Sequence, residues 1–161
     1  MPTATLLPVI GKPAPDFTLP STSGEPLSLR QFKGKKTVVL FFYPDDETPG
    51  CTKEACGFRD LSAQFEAAGV VILGISADDL ESHQKFKTKH KLPYELLYDA
   101  DALVSKGYGV WKQKNLYGKK FMGIERTTFV IDKTGRIAQI YPKVKVEGHV
   151  AEVLAFLTTE D

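Results

Sequence analysis

Two continuous apolar runs, residues 37–43 (TVVLFFY) and Val70–Ser76 (VVILGIS), stand out from the mixed background of the chain. Both are short and rich in β-branched or aromatic residues, without the alternation of a half-wet strand. Each is therefore expected to be a strand covered on both faces. Between them the period changes. Phe58, Leu61 and Phe65 recur at spacings of three and four within residues 51–68, the apolar stripe of an amphipathic helix that stops near Gly69. A β-α-β unit follows. Residues 79–91 read as a second helix, Glu95–Tyr98 as a short strand after Pro93, and residues 103–108 as a short helix. The stretch from there to Gly123 reads as loop.

The two ends of the chain carry different signals. Pro13, Pro15, Pro20, Gly24 and Pro26 make the first 30 residues extended and turn-rich, with a hairpin expected around Ser23-Gly24 that packs along the sheet edge. Near the other end, TTFVI and RIAQIY flank Asp132-Lys-Thr-Gly135, a hairpin in which Gly135 can take the positive φ of the turn. From Glu147 a last helix places Val150, Val153, Leu154 and Leu157 on one face. Parallel strands with a crossover helix, then a hairpin and a final helix, predict an α/β protein with a mixed central sheet flanked by helices. A thioredoxin-like fold fits that order, with residues 1–161 as a single domain.

Composition narrows the function more than the fold. At 161 residues and 42% hydrophobic, the chain can bury a core without staples. Lys and Arg number 21 against 20 Asp and Glu, so there is no global electrostatic footprint for nucleic acid or an anionic membrane. No apolar run approaches the roughly 20 residues of a membrane-spanning helix. The start, MPTATLLPVIGKPAP, has no basic n-region and is broken by Pro8, so a cytoplasmic protein is expected; a processed organelle protein would give the same reading. Cys51 and Cys56 are the only cysteines, too few for a secreted disulfide framework. If they matter, they matter chemically.

The first strand runs into PDDETPGC, where the next helix begins, with Thr48 as N-cap and Pro49 at the first helical position. Cys51 then sits in the first turn, where free backbone N–H groups and the positive end of the helix dipole favour a thiolate. Lowering a thiol from pKa about 8.5 to about 6 takes roughly 3.4 kcal/mol, whereas a helix terminus supplies at best about 2 kcal/mol. A cation is needed as well. Arg126, opening the TTFVI strand, is the candidate if that strand lies beside TVVLFFY and ends at the same sheet edge. Its guanidinium could hold the thiolate and one peroxide oxygen together. Thr48, three residues before Cys51, could both accept from and donate to a peroxide, with Pro44 shielding the pocket.

These residues carry a family resemblance. Pro44, Thr48 and Cys51 match the Pro-x-x-x-Thr-x-x-Cys signature of peroxiredoxins, and PDDETPGCTKEACGFRD resembles the peroxiredoxin Q, or bacterioferritin comigratory protein, group. KPAPDFTLP, SADDLESHQKF, LLYDAD, YGVW and ERTTFVID extend the likeness over nearly the whole chain. The resemblance implies a peroxidatic Cys51, peroxide binding by Thr48 and Arg126, and restricted access through Pro44. It also implies that Cys56 resolves the oxidised Cys51 as an intramolecular disulfide. Reduction by thioredoxin or a glutaredoxin-like dithiol, no metal or organic cofactor, and a monomeric state follow from the same likeness. Five residues of intact helix separate two Cα atoms by about 8.6 Å, beyond the about 7 Å that a disulfide tolerates. Forming the bond is therefore expected to unwind the first turns.

Less specific readings stand beside these. A buried cysteine is commonly just a small hydrophobe, and Arg126 beside Glu125 could be a surface ion-pair residue. Glu54 could orient Arg126, although an acidic residue in a helix's first turn is also expected for dipole reasons. Trp111 reads as a packing residue, and Lys85, Lys87, Lys89 and Lys91 as a solvated face. His83, His90 and His149 have no zinc-ligand spacing with either cysteine. Two other function classes remain at this point: a thioredoxin-type disulfide oxidoreductase, disfavoured because four residues rather than two separate the cysteines, and a non-enzymatic binding or chaperone-like domain.

Overall fold

The computed structural model describes residues 8–158; residues 1–7, on which the reading of the N-terminus partly rests, lie outside them. The chain forms β1 (Thr18–Leu19), β2 (Leu27–Ser28), β3 (Thr37–Phe42), α1 (Pro49–Asp60), α2 (Ser62–Ala67), β4 (Val70–Ser76), α3 (Leu80–His90), β5 (Glu95–Tyr98), α4 (Leu103–Gly107), β6 (Trp111–Leu116), β7 (Lys119–Ile124), β8 (Thr127–Ile131), β9 (Ile137–Tyr141) and α5 (His149–Thr158). Five strands make a mixed sheet in the order β5-β4-β3-β8-β9. β3 runs parallel to β4 and antiparallel to β8, and β4 is parallel to β5. The expected sheet flanked by helices is therefore present.

The apolar run of β3 is explained by its central place, because strand residues alternate between two covered faces. Val39 and Phe41, with Tyr43 just beyond the strand, join Phe58, Phe65, Phe86 and Val153 in one core. Val38, Leu40 and Phe42 join Phe17, Tyr108, Ile124 and Phe129 in the other. Phe41 stacks on Phe58 of α1 at 4.8 Å, which seats the helix against the strand that feeds it. Gly74 of β4 leaves room for that ring: a Cβ there would lie 2.9 Å from both Phe41 and Leu96.

The N-terminal segment forms the expected hairpin of β1 and β2, and it protects both edges of the sheet. Thr22 donates to the Leu96 carbonyl and Tyr98 to that of Pro20 along β5. Gly11 donates to Ile137, and Ile137 to Lys12, along β9. Unpaired strand edges invite pairing with other chains, and this segment occupies them.

Two sequence expectations are corrected. Residues 51–68 are not one helix: Leu61 leaves helical geometry (φ −106°, ψ 10°), and its carbonyl accepts from both Gln64 and Phe65 as α2 begins. The apolar stripe continues across the break, so periodicity alone does not reveal it. The stretch up to Gly123 is not loop either. β6 and β7 pair antiparallel about Tyr117 and Gly118, both at positive φ (52° and 79°), the geometry of a two-residue type I′ turn. Its Lys-rich alternation hides the strands, because most of the hairpin faces solvent and needs no apolar period.

Candidate active site

β3 delivers the chain at Phe42 into Tyr43 and the loop 44–48, and α1 starts at Pro49. Thr48 is the N-cap in extended conformation, with its carbonyl accepting the first helical bond from Thr52 at 2.8 Å. Its hydroxyl does not cap the helix but donates back to the Asp45 carbonyl at 3.1 Å. The first-turn N–H groups thus have no side-chain cap and remain available to an anion. Cys51 lies in that turn, 1% exposed. Pro44 and Thr48 are half-buried on the loop leading into it.

Arg126 reaches the thiol as its sequence position suggested. Phe42 pairs with Thr127, so the residue preceding β8 emerges at the edge where β3 ends. Its Nη2 donates to Cys51 Sγ at 3.4 Å, and its Nη1 donates to Glu54 Oε1 at 2.7 Å. One planar guanidinium therefore bridges the thiol and a carboxylate one turn further along α1. The sequence missed the reason the guanidinium fits. A Cβ on Gly50 would lie 3.1 Å from Arg126 Nη2, so a side chain there would press on the cation.

Glu54 is fully buried, and its Oε2 has no partner among the described residues. Burial pushes its carboxyl from 4.5 up to about 7, opposed by the charge and hydrogen bond of Arg126. A second cation, not singled out from the sequence, comes from the overlooked hairpin. Lys114 lies on β6, half-buried, and makes no ion pair among the described residues. Burial and then the charge of Arg126 push its ammonium down, while Asp45, Cys51 and Glu125 pull it up.

Cys56 lies on the same unbroken α1 in a different setting. It is half-exposed and lines a groove with Gly57, Leu61, Val146 and Val150. Both cysteines are free.

Beyond the thiol, a buried polar network ties the loop to α3. Asp46 accepts from Tyr43 Oη on one oxygen and from Ser82 Oγ and His83 Nδ1 on the other, each at 2.7 Å. Its N–H donates to Asp78, which also accepts from Ser76, and His83 Nε2 donates to the Leu97 carbonyl. Burial raises the Asp46 carboxyl, but the hydrogen bond and charge of His83, then Tyr43 and Ser82, bring it below its usual value. Asp46, Asp78 and His83 place three ligand atoms within 4.8 Å of one another. Yet both Asp46 oxygens and both His83 nitrogens already have internal partners, so this is a closed network rather than a metal cradle. Sequence spacing gave no sign of it, since its members come from three separate stretches.

Residues 10–140 match the AhpC/TSA family. The chain is 51% identical over 148 residues to peroxiredoxin Bcp of Bacillus subtilis, covering 92% of this chain and 94% of that one. It is 47% identical to the chloroplastic peroxiredoxin Q of rice, covering 91% of this chain and 65% of that one. A PrxQ mutant from Xylella fastidiosa superimposes with a TM-score of 0.90 at 35% identity, covering 96% and 98% of the two chains. Bacterioferritin comigratory protein of Xanthomonas campestris, whose structures address alkyl peroxide reduction, superimposes with a TM-score of 0.84 at 40% identity, covering 89% and 90%. With family match, relatives and fold in agreement, the chain belongs to the AhpC/TSA family and, within it, to the cysteine-based peroxidases of the Bcp, or peroxiredoxin Q, group.

Proposed function

We propose that the protein reduces hydrogen peroxide and organic hydroperoxides, with Cys51 as the attacking thiolate and Cys56 as the resolving thiol. The observation that carries this reading is the Arg126 guanidinium held between Cys51 Sγ and Glu54. Attack on the peroxide transfers one oxygen to sulfur, leaving a sulfenic acid and an alkoxide or hydroxide. Arg126 and the uncapped N–H groups of α1 are donors close to that developing charge, and such preorganised donors usually supply most of the acceleration. The Thr48 hydroxyl, whose proton goes to the Asp45 carbonyl, offers its lone pairs to the peroxide O–H. Pro44 limits access to the sulfenate.

Cys56 then condenses with the sulfenic acid, and thioredoxin or a glutaredoxin-like dithiol restores both thiols by exchange. Both cysteines lie within intact α1, so this step requires the first turns to open. We further infer a single-domain monomer working in the cytoplasm, or in an organelle after processing; among the described residues no helix is long and apolar enough to cross a membrane. Peroxide consumption coupled to reduced thioredoxin tests the reading. Turnover retained by Cys51→Ser would refute it.

A further inference from the structure

The loop 44–48 must satisfy two opposed demands. Peroxide attack needs it folded, so that Thr48 and the first turn of α1 face the thiol, while disulfide formation with Cys56 needs the first turns of α1, into which the loop leads, to unwind. Its backbone includes a conformation that needs support from outside. Glu47 sits at φ 65°, a left-handed conformation that non-glycine residues keep only where surroundings enforce it.

Two neighbouring carboxylates fasten this segment to α3, and they differ in strength. Glu47 accepts from Lys89 and His90 at 3.4 and 3.3 Å, with its own side chain 41% exposed. Asp46 accepts three bonds at 2.7 Å, with Asp46 and His83 side chains 3% and 0% exposed. Exposed pairs are weak, whereas buried charge-assisted bonds are strong. Burial, followed by the negative charge of Asp46, also pushes the Tyr43 hydroxyl well above its ordinary value, so it remains a donor. The far end of the network is anchored in the sheet by Ser76 of β4 and the Leu97 carbonyl of β5.

We propose that Asp46 is a positioning residue: its carboxylate latches the loop 44–48 onto α3 and sets how oxidised Cys51 divides between disulfide formation and over-oxidation. This rests on the peroxidase reading above. In the first route the Cys56 sulfur attacks the sulfenic sulfur. An S–S bond forms, the S–O bond breaks, and the hydroxyl leaves as water with the thiol proton. In the second route another hydroperoxide gives an oxygen to the sulfenic sulfur. Its O–O bond breaks, an alcohol or water leaves, and the sulfur ends as sulfinic acid. Only the first route needs the first turns of α1 to unwind, and a loop fastened to α3 resists that unwinding, so the latch slows it selectively.

Asp46→Asn in the full-length chain tests this. The amide keeps the shape but replaces one acceptor oxygen with a donor facing the latch donors. The readouts are sulfenate formation by stopped flow, disulfide and sulfinate yields by mass spectrometry across a peroxide titration, and thermal unfolding. Losing a charge-assisted bond shifts a local equilibrium by about tenfold. Disulfide formation should therefore quicken by about that factor, and the peroxide concentration giving half sulfinate should rise in proportion. A lowered melting temperature with an unmoved disulfide-to-sulfinate ratio would overturn the proposal and leave Asp46 merely structural. If Asp46→Asn fails to fold, Ser82→Ala removes one latch donor from α3 and should shift the ratio in the same direction by a smaller factor; an unchanged ratio in that variant overturns the proposal. Should the parent protein form no sulfenate with peroxide, the peroxidase reading and the latch fall together. Sulfenate and disulfide formed normally with an unmoved ratio remove the latch alone.

Discussion

Cys51 and Cys56 lie five residues apart on one helix, yet their surroundings differ in almost every respect. Cys51 is buried in the first turn of α1 with Arg126 Nη2 at 3.4 Å, and that arginine is fixed in turn by Glu54. Cys56 is half-exposed beside a groove shared with Val146 and Val150. A thiolate becomes an effective nucleophile where donors and positive charge converge, while a resolving thiol must be reachable. Position relative to the helix start and the β8 edge divides the labour between two identical side chains.

The widest separation of the two roles comes from serine substitutions. Cys51→Ser should abolish peroxide turnover, a loss above about a thousandfold. Cys56→Ser should keep the first oxidation at nearly the parental rate, then stop as sulfenate or sulfinate. Mass spectrometry after one equivalent of peroxide distinguishes these outcomes, and an unreactive Cys56→Ser protein would erase the proposed distinction. Arg126→Gln probes the environment of Cys51 alone. Removing one preorganised donor typically costs about a hundredfold to a thousandfold, so oxidation of Cys51 should slow by that factor while alkylation of Cys56 is unchanged.

How much of this comparison the sequence carried depends on whether the signal was local. The apolar runs of β3 and β4, the Thr48-Pro49 start of α1 and the Asp132–Gly135 turn each write their structure into adjacent residues, and they form as expected. Arg126 is legible only if β8 lies beside β3, and the pairing of Phe42 with Thr127 supplies that neighbour. Gly50 carries no local signal because its importance lies in a contact 76 residues away. The β6–β7 hairpin, and Lys114 with it, reads as loop because a solvent-facing hairpin carries no apolar period. The Asp46 network was invisible for a similar reason: Tyr43, Ser82 and His83 meet only after β3, α3 and the intervening loop are assembled.

A third measurement concerns the helix both cysteines share. Oxidation of the pair should reduce helical circular dichroism by about two turns of α1, because an intact helix holds their Cα atoms about 8.6 Å apart. Undiminished helicity across a confirmed Cys51–Cys56 bond would remove the mechanical link between the two sites.

A smaller effect sharpens the Cys51 side. The fold raises Glu54 from 4.5 to about 7, so it favours the neutral carboxyl. Its contribution to stability is complete below about pH 4.5 and is lost as pH rises through about 7. Glu54→Gln stays neutral throughout, so the stability of the parent relative to this variant should fall across that window. Chemical denaturation at pH 4.5, 6 and 8 reads the difference, and a parent-minus-variant stability that rises with pH would show that the Arg126 pairing outweighs the cost of burying the carboxylate.

The most direct test of the division of labour is a single turnover of the reduced protein with hydrogen peroxide, followed by Trp111 fluorescence and by mass spectrometry of the quenched product. The account predicts oxidation of Cys51 many orders of magnitude faster than a free cysteine, ending in the Cys51–Cys56 disulfide. Oxidation no faster than free cysteine with both hydrogen peroxide and an organic hydroperoxide, or a first oxidation on Cys56, would contradict it.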